Sequence, residues 1–186
     1  MNTQSHKALT TPKDAARWLR QNVSGTLVAD SRRIKPGDGF LAWPGAANDA
    51  RRFVSEVLAA GATACLVEAE GALIESLVDE RVATYAGLKS AAAPIAAAFF
   101  SEPSLELSVV AVTGTNGKTS TAWWMAEALS QLGQHCAVVG TLGIGEPGAL
   151  VFNGLTTPDP VFFQEQLRCL VDAGFVACAV EASSIG

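Results

Sequence analysis

Histidine is nearly absent from this chain. His6 and His135 are the only two, and neither has a neighbour at metal-ligand spacing, so a histidine-based metal centre is excluded. The four cysteines, Cys65, Cys136, Cys169 and Cys178, form no Cys-x-x-Cys pair, which removes zinc-ribbon and dithiol redox chemistry. Three of them lie in apolar runs, where cysteine behaves as a small buried hydrophobe. A reduced, cytoplasmic protein is expected. Positive charge is also scarce: 13 Lys and Arg against 18 Asp and Glu leave a net charge of −5. Arg32-Arg33 and Arg51-Arg52 are isolated basic pairs on that acidic background, so no nucleic-acid surface is expected. Long apolar runs are missing too. Residues 91–100 are uncharged but too short to span a bilayer and contain Pro94. Residues 1–13 are polar and lack the apolar core of a signal peptide. No membrane insertion is expected.

What is present describes a packed α/β protein. Apolar residues make up 49% of the chain and charged residues only 17%, the balance of a folded core, and 186 residues accommodate one or two domains. Thr11-Pro12-Lys13-Asp14 predicts a helix start, with a threonine cap, proline in the first turn and an acid behind it. That helix is expected to run to about Asn22. Strands are expected near 27–29, 40–43 and 64–67, and a helix over 49–60 that Gly61 stops. Residues 71–83 are expected to hold a further helix and short strand, and 91–100 an alanine-rich helix. Ser101-Glu102-Pro103-Ser104 breaks the pattern and is expected to separate a domain of residues 1–103 from one of 104–186. Beyond the break the chain alternates: strand 107–112, helix 118–132, strand 136–139, a glycine-rich stretch 140–154, helix 158–173 and strand 175–180. That order predicts a βαβαβ unit with a parallel sheet.

The chemistry centres on Thr113-Gly114-Thr115-Asn116-Gly117-Lys118-Thr119. An apolar segment that reads as a buried strand precedes it, and a helical pattern follows. Strand, glycine turn and helix N-terminus together aim backbone N–H groups and the positive end of the helix dipole at a polyphosphate. Lys118 is then the group for the terminal phosphates and the Thr119 hydroxyl for magnesium. The strict phosphate-loop pattern has glycine six residues before the lysine, where this chain has Val112, so the loop is a variant. A second feature is Glu181, which ends an apolar strand. Ligands of open α/β sheets collect beyond the carboxyl ends of strands, and a carboxylate there is placed to help hold the magnesium of a bound nucleotide.

The run 113–119 resembles the phosphate loop of the Mur ligases, ATP-dependent enzymes that add amino acids to the UDP-N-acetylmuramoyl peptide of peptidoglycan. Two further segments agree. Asp30-Ser31-Arg32, followed by Pro36-Gly37-Asp38, Phe40, Ala42 and Gly45, is similar to that family's N-terminal uridine-binding domain. Gly154-Leu155-Thr156-Thr157-Pro158-Asp159 and Glu181-Ala182-Ser183-Ser184 are most similar to the branch that adds the third residue, diaminopimelate or lysine, to UDP-N-acetylmuramoyl-alanyl-glutamate. The fold this implies is a small α/β uridine-binding domain followed by the first half of a P-loop parallel-sheet ATPase domain.

The resemblance also implies roles. Gly114, Thr115, Asn116, Gly117, Lys118, Thr119 and Ser120 would bind ATP, with Lys118 as the catalytic lysine on the phosphates. Thr119 and Glu181 would hold Mg2+. Ser31, Ala46, Ala47 and Asn48 would contact the UDP part of the substrate, and Thr156, Thr157 and Ser183 its muramoyl-peptide side. The reaction would activate the substrate carboxylate as an acyl phosphate, which the amine of a diamino acid then attacks, in the service of cell-wall synthesis, cell shape and division. Two positions depart from the family pattern: Asp49-Ala50 stands where Asp-Gly is common, and Ile185 where histidine often follows the serine pair. Other amide ligases with this loop, such as a cyanophycin synthetase, and a non-catalytic nucleotide-binding module are the alternative readings.

The family's ATPase domain continues past the position matching Gly186, with a carbamylated lysine for a second magnesium and a further domain for the incoming amino acid. Residues 1–186 are therefore expected to give no ligation by themselves, and their sheet to leave an apolar edge open. Product formed by purified residues 1–186 from ATP, UDP-muramoyl dipeptide and a diamino acid would overturn the first expectation.

Overall fold

The computed structural model describes residues 7–45, 48–71, 79–151 and 159–183. The chain divides into two compact units, Met1–Phe99 and Phe100–Gly186.

In the first unit β1 (Lys7–Leu9) leads into α1 (Pro12–Asn22). The Thr11 hydroxyl oxygen accepts the Asp14 N–H at 3.2 Å and so satisfies one of the donors that every helix start leaves over. Ala15, Ala16, Trp18 and Leu19 form the buried stripe. The strands β2 (Leu27–Val28), β3 (Gly39–Ala42), β4 (Ala64–Glu68) and β5 (Val82–Tyr85) join β1 in a parallel sheet of order β1-β5-β4-β3-β2. Strand alternation sorts its side chains. Phe40, Ala42, Cys65 and Val67 pack with Val54, Val57 and Leu58 of α2 (Val54–Ala59). Leu41 and Leu66, of opposite parity and fully buried, face the other layer, where α1 packs against α3 (Leu88–Phe99) and both meet β4. Burial in this core pushes the Cys65 thiol up to about 12, so it is inert packing.

Several local expectations are corrected. The helix expected over 49–60 is a 3-10 turn, Ala50–Phe53, that hands over to the short α2. Asp49 accepts the Arg51 N–H at 3.1 Å and grips the Arg51 guanidinium, which holds the first turn tight. Gly61, at φ +103°, does end the helix. The helix expected within 71–83 lies outside the described residues for the most part, and the strand there is β5. Strand β1 falls in a segment read only as a polar N-terminus. α3 starts at Leu88 rather than Ala91 because Glu68, at the end of β4, accepts the N–H groups of Gly87 (3.0 Å) and Leu88 (2.7 Å). A cap that far away in sequence leaves no local signal. Asp38 acts similarly, accepting the Thr26 and Lys35 N–H groups at 2.9 Å each.

At the start of the second unit the chain turns through Ser101 (φ 65°) and Glu102 (φ 55°). Two consecutive non-glycine residues in the left-handed region cost on the order of 1–3 kcal/mol each, and the turn Pro103–Leu105 follows. The second unit contains β6 (Ser108–Val112), α4 (Lys118–Gln131), β7 (Cys136–Gly140), β8 (Gly143–Gly145), α5 (Pro160–Asp172) and β9 (Ala177–Glu181). Its sheet has the order β6-β9-β7-β8. The expected parallel arrangement holds for β6, β9 and β7, while β8 folds back antiparallel on β7. Alternation again decides the faces: Ala137, Val139, Cys178 and Val180 meet Leu167 and Leu170 of α5, whereas Cys136, Val138, Ala177 and Ala179 meet Ala122 and Ala126 of α4. Asp159 caps α5, accepting the Val161 and Phe162 N–H groups at 3.0 Å.

Strand β6 was expected to be buried and is not. It lies at the edge of the described sheet, with Val109 and Val110 at 40% and 37% exposure. The sheet order inserts β9 between β6 and β7, and the core that α4 buries is made with β7 and β9, so β6 goes largely uncovered.

The Glu68 cap gives a stability test. Glu68→Ala leaves the N–H groups of Glu70, exposed Gly87 and buried Leu88 without their acceptor and is expected to destabilise the first unit by about 1–3 kcal/mol in denaturant titration. Glu68→Gln, which keeps one acceptor oxygen, is expected to lose clearly less.

Candidate functional site

Parallel pairing of β6 with β9 sets the site. The register places Val112 opposite Glu181, so both strands end together, and the Ala182 N–H donates to the Val112 carbonyl at 2.9 Å. The glycine loop leaving β6 and the carboxylate ending β9 therefore emerge side by side at the carboxyl edge of the sheet.

The loop itself is exposed from Thr113 to Gly117, and Lys118 and Thr119 are half-buried where α4 begins. Gly114 (φ +142°) and Gly117 (φ +81°) take backbone conformations that side-chain-bearing residues rarely adopt. Gly117 is also the residue preceding α4, and no side chain caps the helix there. Its first N–H groups remain available to an anion. Lys118 folds back over the loop, its Nζ donating to the Gly114 carbonyl at 2.7 Å. An ammonium has three donors, so this contact does not consume the lysine.

Glu181 is 1% exposed. The Thr119 hydroxyl donates to its Oε2 at 2.8 Å. Thr141, just past β7, donates its main-chain N–H to Oε1 at 3.0 Å and its hydroxyl to Oε2 at 3.3 Å. Among the described residues none of these partners is cationic. The chemistry fits a hard cation: an anionic oxygen and a hydroxyl oxygen in contact, buried without a compensating charge. Among the described residues no group of three or more His, Cys, Asp or Glu could hold a metal. A cation here would thus draw most of its ligands from phosphate oxygens and water. Cys178, beneath this edge in β9, is a buried thiol pushed up to about 12 and takes no part.

In the first unit the residues expected to meet a uridine ligand follow adjacent strands. Ser31 is half-buried in the turn Ser31–Arg33, shortly after β2. Asn48 is exposed in the loop after β3, where its carbonyl accepts the Gly45 N–H at 2.8 Å and Pro44 bridges Asp49. Both loops leave the carboxyl ends of neighbouring parallel strands, where α/β sheets bind ligands. Asp30 accepts the Arg32 N–H and grips its guanidinium. The same fork recurs at Asp49/Arg51 and Asp79/Arg81. In each the guanidinium holds the carboxyl below its ordinary value, Asp79 down to about 2. Asp30-Ser31-Arg32 is thus one of three turns built on the same Asp-x-Arg spacing, a repeat visible in the sequence.

Ser183 is half-buried two residues beyond Glu181. Ala46, Ala47, Thr156 and Thr157 lie outside the described residues. Thr119 and Glu181 are in contact; the first-unit residues share an edge of their own sheet. Thr141 went unsingled in the sequence, since nothing local to it points at Glu181. Among the described residues no helix is long and apolar enough to cross a membrane.

Residues 112–186 match the Mur ligase middle domain. A UDP-N-acetylmuramoyl-L-alanyl-D-glutamate–2,6-diaminopimelate ligase of Acidovorax sp. (strain JS42) is 55% identical over 185 residues, which cover 96% of this chain and 37% of that protein. A ligase of the same name from Pseudomonas putida is 46% identical over 158 residues, covering 85% of this chain and 32% of the relative. A solved structure of a ligase of that name superposes with a TM-score of 0.69 at 29% identity, over 87% of this chain and 32% of that one. MurF ligase from Thermotoga maritima, in complex with ADP, shares the fold at a TM-score of 0.57 and 22% identity, over 84% of this chain and 31% of that one. The chain thus spans about a third of the length of the relatives it matches. The family match begins where β6 meets the phosphate loop and runs through Glu181, so residues 112–186 belong to the Mur ligase middle-domain family, and the likeness to these ligases extends across almost all of the chain.

Proposed function

We propose that this chain provides the UDP-substrate-binding unit and the phosphate-binding part of an ATP-dependent ligase. In this reading the enzyme adds diaminopimelate to UDP-N-acetylmuramoyl-alanyl-glutamate in the cytoplasm, during peptidoglycan synthesis. The observation that carries the reading is the contact between Thr119 and the buried Glu181 beside an uncapped glycine loop. The relatives' names supply the substrate class, and Ser31 and Asn48, which follow neighbouring parallel strands, would meet its nucleotide.

The chemistry follows from what the side chains offer. A carboxylate is a poor electrophile, and its phosphorylation creates an acyl phosphate with a good leaving group. N–H groups of residues 114–120 would cradle the β- and γ-phosphates of ATP. Lys118, still anchored by the Gly114 carbonyl, would direct its remaining N–H donors at the terminal phosphate and offset charge as it is transferred. Thr119 and Glu181 would hold Mg2+ against the phosphates. That ion, when bound, supplies charge neutralisation on the transferring group. Ser31 and the loop of Ala46, Ala47 and Asn48 would hold the uridine diphosphate, with Thr156, Thr157 and Ser183 toward the muramoyl peptide.

Two titrations test the assignment. Lys118→Ala is expected to weaken nucleotide binding by about 100-fold, the worth of one or two charge-assisted hydrogen bonds, with affinity for UDP-N-acetylmuramoyl dipeptide unchanged; loss of both together would overturn the division of labour between the units. Ser31→Ala is expected to weaken the UDP ligand by about 5- to 10-fold and leave nucleotide affinity alone. Calorimetric heat from ATP but none from the UDP-muramoyl dipeptide would overturn the peptidoglycan reading and leave a nucleotide-binding module.

A further inference from the structure

Three neutral donors converge on the Glu181 carboxylate, and two of them come from a single residue that carries no role so far. Thr141 follows Gly140, the last residue of β7. Its N–H holds Oε1 at 3.0 Å and its hydroxyl reaches Oε2 at 3.3 Å, spanning both oxygens. The Thr119 hydroxyl meets Oε2 at 2.8 Å from the opposite element, the start of α4. The carboxylate is thereby fixed in rotation, with one oxygen committed to the backbone and the other turned to the phosphate loop. Gly140 makes the approach feasible. A Cβ there would stand 2.0 Å from Oε1 and 2.5 Å from the carboxyl carbon, so any side chain would drive Glu181 out of this position. Thr141 itself is exposed, outside the packed core.

We propose that Thr141 is a positioning residue for the cation site. It orients the Glu181 carboxylate so that Oε2 and the Thr119 oxygen face the magnesium of a bound nucleotide together, with Gly140 providing the clearance. The inference rests on the nucleotide–magnesium reading above. A carboxylate free to rotate would bind the same ion less tightly, because its ordering would have to occur on binding.

The test measures the affinity of the purified protein for a fluorescent ATP analogue, in magnesium titration and in chelator. Thr141→Val keeps the shape and the main-chain N–H but removes the hydroxyl. It is expected to raise the magnesium concentration at half-effect by about 5- to 10-fold, the scale of one hydrogen bond to a charged group, with affinity in chelator unchanged. Thr141→Ser is expected to restore the wild-type value. Gly140→Ala, in a variant whose thermal unfolding stays cooperative, is expected to abolish the magnesium-dependent gain. A Thr141→Val protein with wild-type magnesium dependence would overturn the role of Thr141, as would an equal loss in magnesium and in chelator. Wild-type protein that binds the analogue equally with and without magnesium would instead overturn the nucleotide–magnesium reading itself.

Discussion

A carboxylate taken out of water costs several kcal/mol unless hydrogen bonds or a cation compensate it, and Glu181 is 1% exposed. The geometry of the second unit follows from that demand. β9 must lie inside the sheet, between β6 and β7, so that donors reach its last residue from both sides. The β6 side contributes the loop and Thr119; the β7 side contributes Thr141 and the space at Gly140. Hydrogen bonds from neutral donors satisfy the oxygens without cancelling the charge. The field that remains is what a divalent ion bound with phosphate would neutralise, and the uncapped start of α4 adds positive potential for the phosphates themselves. Site and fold share one constraint here.

The first unit applies the same chemistry to architecture. Asp38 and Glu68 are buried acids whose oxygens accept main-chain N–H groups at the ends of strands. Three Asp-x-Arg forks fold short turns on themselves. The Asp49–Arg51 fork is the most enclosed, with Arg51 only 7% exposed and its guanidinium also donating to the Glu70 carbonyl. Breaking such a pair would strand a buried charge, whereas the exposed Asp30–Arg32 fork contributes little to stability. The forks close the turns Ser31–Arg33 and Ala50–Phe53 that follow β2 and β3.

Much of this organisation was legible from local sequence. The Thr11 cap with Pro12, the glycine stop at Gly61, the alternation of strand and helix after residue 104 and the strand–loop–helix at 107–132 depend on contacts between residues a few positions apart. Propensity and periodicity report such contacts directly. The phosphate loop was legible for the same reason, since its glycines, lysine and threonine act on one ligand from consecutive positions.

Other features depend on which strands become neighbours, and that is set by the packing of whole faces. The exposure of β6, the early start of α3 on Glu68 and the meeting of Thr141 with Glu181 all arise in this way. In each case the partner lies some 20 or more residues off in the chain, and no pattern of spacing encodes it. Sequence identified a phosphate-binding loop and a strand ending in an acid. The parallel β6–β9 register, with Val112 opposite Glu181, brought that acid to the threonine of the loop.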